Sequence, residues 1–189
     1  MKVWSTRLAV LLAGASTVAA MPVSSDREQA GAVAIGFYRA YATFRPSDGI
    51  PDAGQRARLE PFISTALDRL LVDGDAAEQH FAAVTRHMSP PLIEGDLFTS
   101  NFEGATAWNV GPCEVDADSA HCTVALGYRS RKREDARPVN WTDTVCLVHT
   151  AEGWRVDDIA YGAKTAFGNK GRLTQTLRDA IRDGNSATQ

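Results

Sequence analysis

The sequence predicts an α+β domain: N-terminal helices packed on a curved antiparallel sheet, with a further helix at the C-terminus. Three observations predict it. Apolar residues in the first half recur at helical spacing, with Val33, Phe37, Tyr41 and Phe44 on one stripe that Ile35 and Tyr38 broaden. Ser89-Pro90-Pro91 then breaks the chain, since proline removes a donor and clashes with a preceding helical turn. Beyond it the period becomes strand-like. Two β-rich runs, Trp141 to His149 and Trp154 to Tyr161, are joined by a short link that includes Gly153 and read as an antiparallel hairpin.

Taken in order, the N-terminus carries the basic Lys2 and Arg7, then the apolar run Leu8 to Ala15, then the small residues Val18-Ala-Ala20. This is the pattern of a signal peptide cleaved after Ala20. The run is shorter than the roughly 20 apolar residues a membrane span needs, which weighs against a retained anchor. No Cys stands near the cleavage point to carry a lipid. The expectation is a periplasmic or secreted protein whose mature chain, 21–189, is one domain. Loss of Lys2 and Arg7 takes the formal charge from −3 to −5. A mildly acidic chain gives no electrostatic reason to expect nucleic acid or an anionic membrane as partner.

Ser25-Asp-Arg-Glu28 has the form of a capping box and should open a helix running to about Phe44, before Pro46. Pro51 to Arg56 reads as a loop. A second helix is expected from about Leu59 to Leu71, with Phe62, Ile63, Ala66, Leu67 and Leu70 on one side. Gly74 should end that region, and Asp75-Ala-Ala-Glu78 should cap a third helix bearing Phe81, Val84 and Met88.

Four strands are expected at Ala105 to Val110, Cys122 to Arg129, Trp141 to His149 and Trp154 to Tyr161. The charge run Arg129 to Arg137 reads as a solvated hairpin loop in preference to an anion site. In the last strand Trp154 and Val156 share one face and Ile159 and Tyr161 the other. Either an extra residue at Asp157-Asp158 forms a β-bulge that turns all four to the core, or the register is lost. A final helix over Asn169 to Gly184 carries Leu173, Leu177 and Ile181 four apart, and Asn185 to Gln189 should fray.

The three cysteines are an odd set. Cys113 and Cys122 flank a polar turn and could face each other, a plausible disulfide in an oxidising compartment. Cys146 alternates with Thr144 and Val148 and reads as a buried apolar residue rather than a nucleophile.

Phe37-Tyr38-Arg-Ala-Tyr41, Leu59 to Leu67, Pro91-Leu-Ile-Glu-Gly-Asp96-Leu-Phe98-Thr-Ser, Trp141-Thr-Asp143 and Gly153-Trp154-Arg-Val-Asp-Asp158-Ile159 stand in an order and spacing that resembles bacterial proteins of the domain of unknown function 3828 family. The resemblance covers about residues 30–180. It implies a nuclear transport factor 2-like cone, with helices on a strongly bent sheet and a cavity at the open end. The family carries no established reaction, so it implies no catalytic residue. Its broader fold includes isomerases, dehydratases and cyclases as well as binding and dimerisation modules, some of which neutralise toxins.

Acid/base chemistry in such a cone needs a carboxylate with a shifted pKa and a donor for developing charge. The candidate pocket residues are Tyr38, Tyr41, Asp143, Asp158 and Tyr161, each with a structural alternative: aspartates bonded to backbone, tyrosines packed as core. Asp96, after Gly95, reads as a cap on backbone amides. The histidines, His80, His87, His121 and His149, are scattered, and His80 and His87 lie too far apart along a helix for one zinc, so no metal is expected. No phosphate loop, nucleophile elbow or Cys-x-x-Cys pair occurs, and no cofactor is expected. The Asn140-Trp-Thr142 sequon reads as accidental.

Two readings remain. The first is an exported, non-enzymatic binding module for a small apolar ligand or a protein partner. The alternative is a small cone-pocket acid/base enzyme using Asp143 or Asp158. A desolvated Asp and a Tyr lining one closed cavity would favour the enzyme; carboxylates turned to solvent or to backbone amides would remove its base. Dimerisation through the sheet, common in this fold, leaves a homodimer open.

Overall fold

Ser25 caps α1 (Asp26–Tyr41) as its spacing from Glu28 predicts. Its hydroxyl accepts the Glu28 amide at 3.3 Å, and the Glu28 carboxylate accepts the Ser25 amide at 2.9 Å. In the computed structural model, which describes residues 25–130, 137–163 and 168–187, three helices precede a four-stranded antiparallel sheet and a fourth helix follows it. The fold is therefore α+β, with a C-terminal helix. The expected signal peptide and positions 131–136 of the charge run lie outside the described residues.

The second and third helices differ from expectation. Pro51 to Arg56 is not all loop: Asp52 accepts the Gln55 amide at 2.8 Å and starts α2 (Ala53–Leu59). The expected helix from Leu59 is interrupted. At Phe62 to Ser64 the backbone pairs with β4 (Gly153–Ala160), the Ser64 amide donating to Val156 O and the Val156 amide to Phe62 O, both at 2.8 Å. Ser64 then caps α3 (Thr65–Val84) through the Leu67 amide.

Gly74 does not end a helix; α3 runs through it for 20 residues. Its role is proximity. A Cβ there would lie 3.1 Å from Ile50 Cδ1 and 3.4 Å from Leu177 Cδ2, so the missing side chain lets α3 approach α4 (Leu173–Ser186). Met88, expected on a helix face, lies beyond α3 and is 86% exposed.

The sheet is a meander, β1 (Ala107–Asp116), β2 (Ser119–Tyr128), β3 (Val139–Thr150) and β4, each strand beside its sequence neighbour. β1 is longer than expected because a register shift between Val110 and Cys113 absorbs Pro112, which cannot donate to a ladder. In β4, Val156 pairs with Leu147 and Asp158 with Cys146, which leaves Asp157 as the extra residue of a bulge. Trp154, Val156 and Ile159 are accordingly all buried, and Tyr161 packs against them. The outer edge of β4 is covered at one end by Phe62 to Ser64 and at the other by a bridge from Ala160 to Arg172.

α1 supplies the centre of the core. Ala30, Ala34, Phe37, Tyr38 and Tyr41 are fully buried, and the last three join Phe44, Phe98 and Trp108 in a network of ring contacts at 5.3–6.2 Å. Cys113 and Cys122 are joined by a disulfide across β1 and β2, their Cα atoms 4.0 Å apart.

Gly184 repeats on α4 what Gly74 does on α3: an added Cβ would lie 2.8 Å from both Ala77 O and Leu92 Cδ1. Alanine normally stabilises a helix relative to glycine, yet Gly184→Ala should lower stability by about 1–3 kcal/mol through overpacking. Urea unfolding of the two proteins checks this; equal or greater stability in the variant would contradict the close α3–α4 approach.

Candidate functional site

Part of the interior is occupied by a loop. Residues Gly95 to Ser100 form an irregular segment that is buried at every position. A buried loop carries backbone groups that must find partners, and these come from nearly every element around it.

Asp143, on β3, is the largest provider. It is 1% exposed. Its carboxylate accepts the Ser100 amide at 2.8 Å, the Ser100 hydroxyl, the Gly162 amide at 2.8 Å and the Trp141 indole N–H at 3.1 Å. Ser100 Oγ also accepts from the amides of Gly162 and Ala163, at 3.0 and 3.1 Å. Tyr161 donates to Leu97 O at 2.6 Å. Asn169 Nδ2 donates to the carbonyls of Asp96 and Thr99, at 2.6 and 2.8 Å.

Asp96 anchors the other side of the segment. One oxygen accepts the Phe98 amide at 2.7 Å, the backbone cap its position after Gly95 suggests, and the other accepts the Tyr41 hydroxyl. Tyr41 Oη in turn accepts the Ala105 amide at 3.1 Å. Gly104 has φ +73°, and a Cβ there would lie 2.7 Å from Tyr41 Oη and against Asp96 Oδ2, so only glycine fits. Burial pushes the Asp96 carboxyl up to about 7, against the lowering effect of its hydrogen bonds. Burial likewise raises Tyr41, and the charge of Asp96 adds to it.

Asp158 does a different job on the other face of β4. Its carboxylate accepts the Ile159 amide at 2.9 Å, the Thr174 amide at 3.0 Å and the Thr174 hydroxyl at 3.1 Å, and it pairs with Arg172 Nε at 2.5 Å. Thr174 lies in the first turn of α4, whose N-cap residue Arg172 supplies no side-chain cap of its own. Asp158 is thus an N-cap delivered from a neighbouring strand, matched in sign to the helix dipole. Arg172 Nη2 also lies 3.2 Å from Cys146 Sγ, a buried free thiol whose pKa burial raises.

Of the five candidate pocket residues, Tyr38, Tyr41, Asp143 and Tyr161 converge around Gly95 to Ser100, while Asp158 stands apart at α4. They surround packed chain. Four of the grooves that open among the described residues, of about 470 to 890 Å³, have none of the five in their lining. Tyr38 is fully buried, stacked on Trp108, and its hydroxyl has no hydrogen-bond partner among the described residues. Neither Asp143 nor Asp158 is placed to take a proton from a substrate, because both are shared among backbone and side-chain donors. Among the described residues no group of three or more His, Cys, Asp or Glu could hold a metal. Ser100 and Asn169, which complete the network, carry no local signal in the sequence. No known protein family matches the chain, and no curated protein matches it.

Asp96 makes stability depend on pH in a definite direction. Unfolded, its pKa is that of an ordinary carboxylate, about 3.9; folded, it is about 7. The folded state binds the proton more tightly, so this contribution is full below about pH 4 and is lost as pH rises through 7, an order of 4 kcal/mol in all. Asp96→Asn, which does not titrate, should flatten that part of the profile. Urea midpoints at pH 4, 5, 6 and 7 for both proteins measure it; parallel profiles would contradict the assignment to Asp96.

Proposed function

We propose that this chain is an exported, non-enzymatic binding module whose partner is another protein, docked on the outer face of the sheet. The observation that carries the reading is the character of that face. Ala107, Asn109, Thr123, Ala125, Asn140 and Thr142 are exposed there across three adjacent strands, and none bears a charge. Charges stand at the ends instead, with Glu114 and Asp116 toward one hairpin turn and Arg129 past the other end of β2. A solvent face is ordinarily studded with Lys, Glu, Asp and Arg, whereas the centre of a protein interface is depleted of them.

The packed interior supports the same reading by subtraction. A small apolar ligand in the cone would have to displace Phe98 and its neighbours, and an acid/base enzyme would need a carboxylate that Asp143 and Asp158 have committed elsewhere. The Cys113–Cys122 disulfide supports export, since such bonds persist in oxidising compartments. The order of helices, meander and final helix supports the resemblance to the domain of unknown function 3828 proteins and their cone.

Native mass spectrometry of the protein, gently purified from its own host, tests the reading. Wild type should carry an added mass of many kilodaltons. Ala125→Glu should lose it, because a buried unpaired carboxylate at an interface costs several kcal/mol. An added mass equal to the chain itself would make the partner a second copy. An added mass of a few hundred daltons, or a complex indifferent to Ala125→Glu, would overturn the proposal.

A further inference from the structure

A groove of about 890 Å³ opens at the end of the sheet where β1 begins, β2 ends and β3 begins. Its walls include Thr106, Ala107, Tyr128, Pro138 and Asn140, and its charged lining among the described residues is Arg45 and Arg129. We propose that this groove is a binding site for a carboxylate group, held between the guanidinium groups of Arg45 and Arg129.

The case begins with what the two arginines lack. Arg56, Arg155, Arg172 and Arg182 each face an acid within 3.3 Å. Among the described residues Arg45 and Arg129, like several surface arginines, face none, but these two line one groove, and neither side chain makes a hydrogen bond there. Arg45 Nε is also buried without a hydrogen-bond partner. A charged group buried and unpartnered is costly. An anion seated against the rest of the same planar fork offsets that cost, since the guanidinium presents paired donors that match a carboxylate.

The surroundings set the charge and shape of the ligand. An adjoining groove of about 660 Å³ shares Arg45, Thr106, Tyr128, Arg129 and Ser130 and adds Asp48 and Glu103. Tyr128 is hydrogen-bonded to Glu103, which raises the phenol pKa. The larger groove is lined by the two arginines without an acid, and Asp48 and Glu103 stand in the adjoining one, which suits a monoanion better than a phosphate dianion. Ala107 and Pro138 give the groove apolar walls, so the acid should carry a short aliphatic or aromatic body.

The carboxylate can come from two sources. Ala107, Gly127 and Asn140 belong both to this groove and to the outer sheet face, so a Glu or Asp of a docked protein could reach it; a free carboxylic acid could enter alone. The site does not depend on the protein-docking proposal.

The test is a titration of the ¹⁵N-labelled protein followed by NMR at the amides of Thr106, Gly127, Tyr128 and Arg129 and at Arg45 Nε–H. The probes are hexanoate, hexanamide, inorganic phosphate, and a capped peptide with one central Glu alongside its Gln counterpart. Hexanoate or the Glu peptide should give saturable shifts, and the neutral probes should not. Saturation by the peptide alone assigns the groove to a protein side chain, and by hexanoate alone to a free acid; both uphold it. Arg45→Gln and Arg129→Gln should each weaken binding by about tenfold or more, the worth of a charge-assisted contact. Arg129 is exposed, so its variant should keep the native spectrum elsewhere. Absence of saturation by both carboxylates, equal saturation by hexanamide, tighter binding of phosphate, or unaltered binding in both variants would overturn the assignment.

Discussion

The carboxylate of Asp143 is the interaction on which the rest of the structure depends. It gathers donors from the Gly95–Ser100 segment, from its own strand at Trp141, and from the turn after β4 at Gly162. A buried carboxylate is tolerable only when its lone pairs are taken, and a buried loop only when its amides are. Each solves the other's problem. Removal of the carboxylate would strand several donors at once, which places Asp143 among the residues whose loss is measured in several kcal/mol.

This arrangement bears on function because it fills the space a ligand would use. Phe98 enters the aromatic cluster of α1 from the plugging segment, and Asp96 ties the same segment to Tyr41. The segment is thereby part of the core. On the proposed reading recognition falls to the outside, where a sheet face uncharged at its centre runs into a groove whose two arginines face no acid among the described residues. A surface neutral at its centre, with arginines at one end, is suited to a partner that buries apolar area and brings an acid there.

Much of the fold was legible in the letters because its determinants are local. Ser25 and Glu28 are three residues apart, and their capping box needs nothing else. The mismatch between Trp154 and Val156 on one face and Ile159 and Tyr161 on the other leaves a bulge at Asp157-Asp158 or a lost register, and the pairing takes the bulge. The helix boundaries failed where tertiary contacts decide them. Gly74 has the look of a stop, but its function is to admit α4, a partner about a hundred residues away in sequence. Asp52 gives no helix signal in the sequence because the short helix it caps has no apolar stripe to announce it. Of the candidate site, Tyr38, Tyr41 and Asp143 were visible as polar groups in apolar company. Their roles were not, because Ser100 and Asn169 reach them across the chain and mark themselves by no motif.

Native-state hydrogen exchange tests most directly whether Gly95 to Ser100 is core. The amides of Phe98, Ser100 and Gly162 donate to buried carboxylates and should exchange only through global unfolding, with the same free energy as the β2–β3 ladder. If these amides exchange far faster than the ladder, through a local opening insensitive to denaturant, the segment is a movable lid over a cavity. In that case the interior, and not the sheet face, would be the place to look for function.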